Sequence, residues 1–529
     1  MYQDTSWREQ VWAGLDRPWD LIVIGGGIMG AGILREAVRC GLRTLLLEQN
    51  DFASGTSSRS SKLVHGGLRY LKTGQWPLTL ESVRERERLL REAAGLVEPL
   101  GFVLPVYQGQ RPPGWMLRAG LFAYDLMAGQ CQHRALDVSE LRFIAPRIRE
   151  SGLLGGLIYP DAQTDDARLT LRVIQEALAA DPRAAALNYA RAGILRENDR
   201  VCGVRVQDQV EERSIDARAT VVINASGSWA DKLRGQIDAM PRLRPLRGSH
   251  LVFPYHRMPV AQAVSLFHPQ DHRPVFVFPW EGVVIVGTTD LDHAEDLDHE
   301  PLISDAEAAY LMRALQHQFP GLGLKLAHAT ASYCGVRPVI AGGHADPSRE
   351  SREFALWNEA GLLTVTGGKL TTFRTTALQV LRAARKQLPA LSALRDDAPI
   401  FDASAASHPD RTGLDAATLR RLHGRYGAAA DRLLADAQPA DLERIGDSVY
   451  RWAELRWAAE HEAVVHLQDL LLRRTRIGLV LSQGGTSLLP RIRECCQSLL
   501  GWSDARWAEE EADYRDVWRR CYRVPSMSF

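Results

Sequence analysis

An α/β chain with a doubly wound sheet, an antiparallel-sheet region and a C-terminal all-α domain is what three features of the sequence predict. Residues 20–48 read as strand, glycine turn, helix and strand; residues 245–330 as alternating strands punctuated by Pro and Gly; residues beyond 400 as helices almost throughout. At 529 residues the chain is too long for one core, and about one domain per ~150 residues suggests two to four.

The first feature carries the most chemistry. Leu21 to Ile24 is an apolar run rich in β-branched residues, as in a parallel strand buried on both faces. Gly25, Gly27 and Gly30 follow at G-x-G-x-x-G spacing. Gly25 permits the tight turn, Gly27 lets a pyrophosphate approach the backbone, and Gly30 lets the helix pack on the strand, so an anion meets the N–H groups at the helix N-terminus. Glu48 ends the second strand where an acid accepts hydrogen bonds from adenosine ribose hydroxyls and repels a 2′-phosphate, which points to FAD or NAD rather than NADP. The glycine spacing alone is weak. The strand before it, the helix after it and the acid together make it a Rossmann-like dinucleotide site.

The remaining segments follow in order. Trp7, Val11, Trp12 and Leu15 share one face of a short helix that packs on the body ahead of Pro18. After Glu48, Ser, Thr and Gly residues surround Arg59, Lys62, His65, Arg69 and Tyr70, in a loop at the carboxyl edge of the sheet, where open α/β folds bind ligands. Residues 77–100 have helical spacing with a charged face, and 111–129 form an apolar helix, core or surface-seeking, that carries Arg118. A helix after residue 165, a hairpin through 185–208 and a second buried strand at 220–224 restore α/β character. Gly367 and Gly368, followed by Thr371 and Thr372, open another helix whose N-terminus can face an anion or a flavin ring. The expected division is an N-terminal extension at 1–19, a discontinuous cofactor domain at 20–95, 150–244 and 331–399, a substrate region at 96–149 and 245–330, and helices at 400–529 behind a polar linker.

Composition excludes several classes. Lys+Arg and Asp+Glu both number 64, so no global basic field exists to hold a nucleic acid, and an anionic substrate must be caught by local cations. The seven cysteines, Cys40, Cys131, Cys202, Cys334, Cys495, Cys496 and Cys521, form no C-x-x-C pair or zinc spacing, so no metal site is expected and the thiols read as reduced and cytoplasmic. No apolar run reaches the length of a membrane span, and acids within the first twenty residues argue against a secretory signal.

With these residues in place, the chain resembles the flavin-dependent glycerol-3-phosphate dehydrogenases over nearly its whole length. The carrying motifs are IVIGGGIMGAG, TSSRSSKLVHGGLRYL, PDAQTDDARL, GSHLV, VIVGTTD, SYCGVRP, TGGKLTTFR and the late LLRRT. The resemblance implies FAD, oxidation of sn-glycerol 3-phosphate to dihydroxyacetone phosphate, and electrons passed to membrane quinone by a cytoplasmic protein peripherally attached to the membrane; a homodimer is left open.

Cofactor contacts are then expected at Gly25, Gly27, Ile28, Met29, Gly30 and Glu48, and at Thr56, Ser57, Ser61, Lys62, His65 and Gly66. Others are expected at Ala225, Gly227, Gly335, Gly368, Lys369, Leu370 and Thr371. Hydride transfer from a secondary alcohol needs an acceptor, a cationic clamp for the phosphate and a base for the hydroxyl proton. Arg69, Arg337 and Lys369 are the clamp candidates, Arg337 and Lys369 also entering the catalytic set. His65 and His250 are nearly equal candidates for the base; Tyr70 is expected to bond the substrate, and Thr289 with Asp290 to close the far wall. Two alternatives stay open: an oxidase of the same fold that passes electrons to oxygen, and a non-catalytic flavin or nucleotide sensor.

Overall fold

The computed structural model describes residues 7–67, 76–129, 132–343, 350, 353–402 and 413–526. Arg69, Tyr70, Cys131 and most of the expected linker near residue 405 lie outside them.

Two sheets divide the body. In the first, Leu362–Thr366, Ser214–Asn224, Trp19–Ile24, Thr44–Leu47 and Ala185–Leu187 run parallel in that order, with Ala355–Glu359 antiparallel at the edge. The chain turns one way from Trp19–Ile24 through Thr44–Leu47 and the other way through Ser214–Asn224, so the order reverses at the first strand, the place where open α/β sheets hold ligands. Leu21, Ile22 and Val23 are fully buried because helices cover the sheet. Helix Ile28–Arg39 packs against Asp166–Ala180 and Phe373–Ala384. A Cβ on Gly32 would stand 2.8 Å from the Phe373 ring, so the glycine sets that close crossing.

The second sheet is mainly antiparallel: Leu291–Asp292, Leu243–Pro254, Val283–Gly287, Pro274–Trp280, Ala263–Phe267, Val97–Tyr107, Leu153–Thr164 and Leu63–Val64, with Ala331–Ile340 beside Leu243–Pro254. Its alternation is literal. Leu251, Phe253, Val284 and Val286 face helix Asp305–Gln318, while Val252, Ile285, Phe278 and Trp280 face the C-terminal helices. Leu153–Thr164 and Ala331–Ile340, expected in the cofactor domain, hydrogen bond into this second sheet, Leu153–Thr164 along the whole of Val97–Tyr107 and Ala331–Ile340 along Leu243–Val252. Local sequence cannot reveal a pairing across that many residues. Residues 97–100, read as the end of a helix, belong to strand Val97–Tyr107 because the helix stops at Glu92.

Near the N-terminus, helix Trp7–Trp12 buries Trp7, and Leu15 just beyond it is fully buried against the same core. The C-terminal region is helical, from Ala416–Tyr426 to Asp504–Cys521. It docks by direct backbone contact: a Cβ on Gly424 would stand 2.5 Å from the Ala94 carbonyl oxygen and 2.6 Å from the Leu96 nitrogen. Gly424→Ala is therefore expected to lower stability by about 1–3 kcal/mol through overpacking. Gly120→Ala, in helix Gly114–Ala128 with nothing within 4 Å, should be neutral or stabilising. Thermal melts of the two variants check this, and equal melting temperatures would contradict the docking geometry.

Candidate active site

The site begins at the glycine turn. Gly25 has φ +114°, and a Cβ there would stand 2.5 Å from the Ala225 carbonyl oxygen, so the turn admits only glycine. At Gly30 a Cβ would overlap the Gly25 carbonyl oxygen, which fixes the helix against the strand end. Helix Ile28–Arg39 opens on Gly27 in extended conformation, a residue with no side chain to cap it, and the Ile28 N–H donates to Ser57 Oγ at 2.9 Å. Glu48 accepts from the Gly26 N–H at 2.7 Å and from the Asn50 N–H at 2.9 Å. Burial pushes its carboxyl pKa up despite these bonds.

One cleft runs from Glu48 past Gly25, Gly27 and Ala225 to Gly335, Arg337 and Lys369. Ile28, Met29, Thr56, Ser57, Ser61 and His65 line it, as do Gly227, Gly368 and Leu370. Gly30, Lys62, Gly66, Thr371, His250, Thr289 and Asp290 stand behind the wall. Lys62 is fully buried, its ammonium 3.0 Å from Asp166; burial is the main cause that brings its pKa down to about 8, against the pull of Asp166. Gly66 donates to Asp161 at 3.0 Å, and a Cβ on it would overlap the Tyr124 hydroxyl. Thr371 Oγ1 accepts from the His65 N–H at 3.2 Å, so it sets the backbone of a lining residue.

The two histidines separate. His65 is half-buried on the cleft wall. His250 is 1 % exposed, stacks on Tyr333 with ring centres 4.4 Å apart, and its Nε2 lies 2.8 Å from Ser61 Oγ. Burial first, then the charges of Arg337 and Lys62, hold its pKa well below the usual imidazole value, so it is neutral and reaches the cleft only through Ser61. A Cβ on Gly287 would overlap the His250 ring; the glycine makes room for it.

At the far end Arg337 Nη1 stands 2.9 Å from Asp290, whose other oxygen is 3.0 Å from Arg273. Arg337 Nη2 donates to Thr288 Oγ1 at 3.2 Å, and Gly248 leaves the space for the guanidinium: a Cβ there would stand 2.6 Å from Nη2. Lys369 Nζ donates to Ser82 Oγ at 3.2 Å. Thr289 Oγ1 donates to buried Glu307 at 2.7 Å, behind the wall.

Sequence reasoning named Arg59 in the ligand loop without giving it a role, and did not single out Phe276, Thr288, Trp229 or Lys232; all five are on the lining. Thr288 sits beside a residue that was singled out, and Phe276 lies in a strand whose alternation does not reveal which face is wet. The acidic segment 296–300 crosses several of them: Trp229 and Lys232 bond Asp298 and Asp296 at 2.8 Å, and Arg59 pairs with Glu300.

Residues 20–374 match the family model of FAD dependent oxidoreductases, and residues 386–507 that of the C-terminal domain of alpha-glycerophosphate oxidase. Aerobic glycerol-3-phosphate dehydrogenase of Staphylococcus saprophyticus is 34 % identical over 508 residues, 90 % of each chain. Glycerol-3-phosphate dehydrogenase 2 of Mycobacterium bovis is 35 % identical over 521 residues, 94 % of this chain and 87 % of its own. The crystal structure of glycerol-3-phosphate dehydrogenase from Bacillus halodurans complexed with FAD superposes with a TM-score of 0.77 at 28 % identity, covering 98 % and 97 % of the two chains.

The geometry predicts that Gly27→Val, which places a branched side chain in the cleft at the helix N-terminus, purifies with little flavin. The ratio of visible to ultraviolet absorbance measures it, and full flavin content would contradict the placement.

Proposed function

The chain belongs to the FAD-dependent glycerol-3-phosphate dehydrogenases, and from that premise we propose that it oxidises sn-glycerol 3-phosphate to dihydroxyacetone phosphate. The observation that carries the reading is that Arg337, Lys369 and His65 line the same cleft as Gly27 and Glu48. The residues present suit FAD: an open helix N-terminus for the pyrophosphate, a carboxylate at the strand end for the ribose, and a cleft long enough to reach the cations beyond. When bound, FAD supplies the two-electron acceptor for the hydride leaving the secondary carbon.

The chain's own residues do the rest. Arg337 and Lys369 hold the phosphate, Arg337 with a fork kept in one orientation by Asp290 and Thr288. His65, on the cleft wall, takes the hydroxyl proton as the hydride departs, so the alcohol loses one hydride and one proton and becomes a ketone. Buried His250 keeps Ser61 in place as a neutral partner.

Electrons pass to a membrane quinone. No helix among the described residues is long and apolar enough to cross a membrane. Helix Gly114–Ala128 instead presents Trp115, Phe122 and Leu126 at 70, 60 and 76 % exposure, with Arg118 exposed on the same helix, an apolar face with a nearby cation suited to the headgroup region. Leu121, on the opposite side, is fully buried and anchors the helix to the body.

Lys369→Ala is expected to cost roughly 2–4 kcal/mol in kcat/KM for glycerol 3-phosphate, the scale for removing one partner of a desolvated charge pair. Most of that loss should vanish with glycerol, which offers the cation no charge to hold. An equal loss with both substrates would move Lys369 from the clamp to the flavin, and full activity on the phosphate would defeat both roles.

Attachment is tested by flotation with anionic liposomes. Wild type should float, and Trp115→Asp with Phe122→Asp should not; a wild type that stays wholly in the soluble fraction contradicts the membrane reading.

A further inference from the structure

Behind the cleft wall lie three carboxylates, Asp51, Asp165 and Asp166, none more than 1 % exposed. Taking three anions out of water is costly unless each is paired. Their partners come chiefly from the C-terminal helices. Arg473 and Arg474 approach Asp51 at 2.5 and 2.6 Å. Arg476 lies 3.0 Å from Asp165 and also contacts Asp166, while Arg425 reaches Asp165 at 2.7 Å. Burial alone would raise the carboxyl pKa values of Asp51 and Asp165; the arginines outweigh it and keep both ionised.

Asp166 also holds a loop that faces the cleft, and Asp51 sits in another. Asp166 accepts from Ser60 N–H at 2.9 Å and Ser60 Oγ at 2.7 Å. The Ser58 carbonyl accepts from Lys62 at 2.9 Å and from Arg476 at 3.2 Å. Asp51 lies three residues beyond Glu48, and Asn188 donates to it at 2.9 Å. Glu48, Ser60 and Ser61 line the cleft; the arginines do not.

We propose that the run Arg473 to Arg476 is a positioning device for the cofactor, clamping the loops at 48–51 and 58–62 in the shape that receives FAD. The C-terminal domain thus contributes to flavin retention without touching the flavin. The alternative is that the same ion pairs only dock the domain. The proposal rests on the assignment of FAD to the cleft and not on the identity of the substrate.

Flavin affinity separates these. Arg476→Gln should weaken the FAD dissociation constant by about tenfold, the effect of losing one buried charge-assisted contact, and alter the visible circular dichroism of bound flavin. Arg476→Lys should recover part of the loss, and Arg519→Gln, on an exposed position of the last helix, none should appear. An Arg476→Gln protein that binds FAD within about twofold of wild type overturns the proposal, as does an equal loss in Arg519→Gln.

A second measurement needs no variant. Because coupling is reciprocal, FAD binding to wild-type protein stripped of flavin should slow hydrogen exchange in residues 470–478, none of which lines the cleft. Unchanged exchange there overturns the proposal even if Arg476→Gln fails to fold. Wild-type protein that binds FAD with this coupling but leaves glycerol 3-phosphate unoxidised would defeat the substrate reading and leave this one standing.

Discussion

The molecule is organised by a backbone crossing with no room for side chains. At Gly25 the end of the first strand meets Ala225 at the end of the returning strand, and at Gly30 helix Ile28–Arg39 meets the Gly25 carbonyl. The Gly25 N–H donates to Leu47 at 2.7 Å and the Ala225 N–H to Ile24 at 2.8 Å, so three parallel strands end at one level. That shared edge is where the sheet order reverses, and it is why a helix N-terminus, an acid and two glycine-rich turns open onto one cleft. Any side chain at Gly25 or Gly30 would separate the strands and the cleft together.

Charge is balanced locally in a chain whose formal charge is zero. Arg337, at the cleft, is backed by Asp290, itself backed by Arg273, so the guanidinium is aimed by a buried carboxylate rather than by solvent. A preorganised cation loses less conformational freedom when it binds an anion, which favours a small phosphate ester over the water it displaces. The ion pairs behind the wall follow the same logic at a larger scale, joining the helical domain to the loops that carry Glu48 and Ser60.

What was legible in the sequence was local. The strand, turn, helix and acid of residues 20–48 are specified by neighbours within thirty positions, and the antiparallel strands by period-two alternation that the two faces of the second sheet obey. Non-local placement was not legible. Lys62 reads as a cofactor residue in its glycine-rich loop, yet its ammonium turns inward to Asp166, over a hundred residues on. His250 reads like His65, but stacking on Tyr333 and burial beside Ser61 are decided by strand register. The arginines of LLRRTR look like a basic run that should be solvated, and only the fold shows that Asp51, Asp165 and Asp166 await them.

The central claim is that one cleft brings a phosphate clamp and a base to the flavin. Adding glycerol 3-phosphate to the purified flavoprotein without oxygen, while following the visible spectrum, tests it most directly. The account predicts bleaching of the flavin with stoichiometric release of dihydroxyacetone phosphate. A flavin that stays oxidised with glycerol 3-phosphate, yet is readily bleached by dithionite, would contradict it.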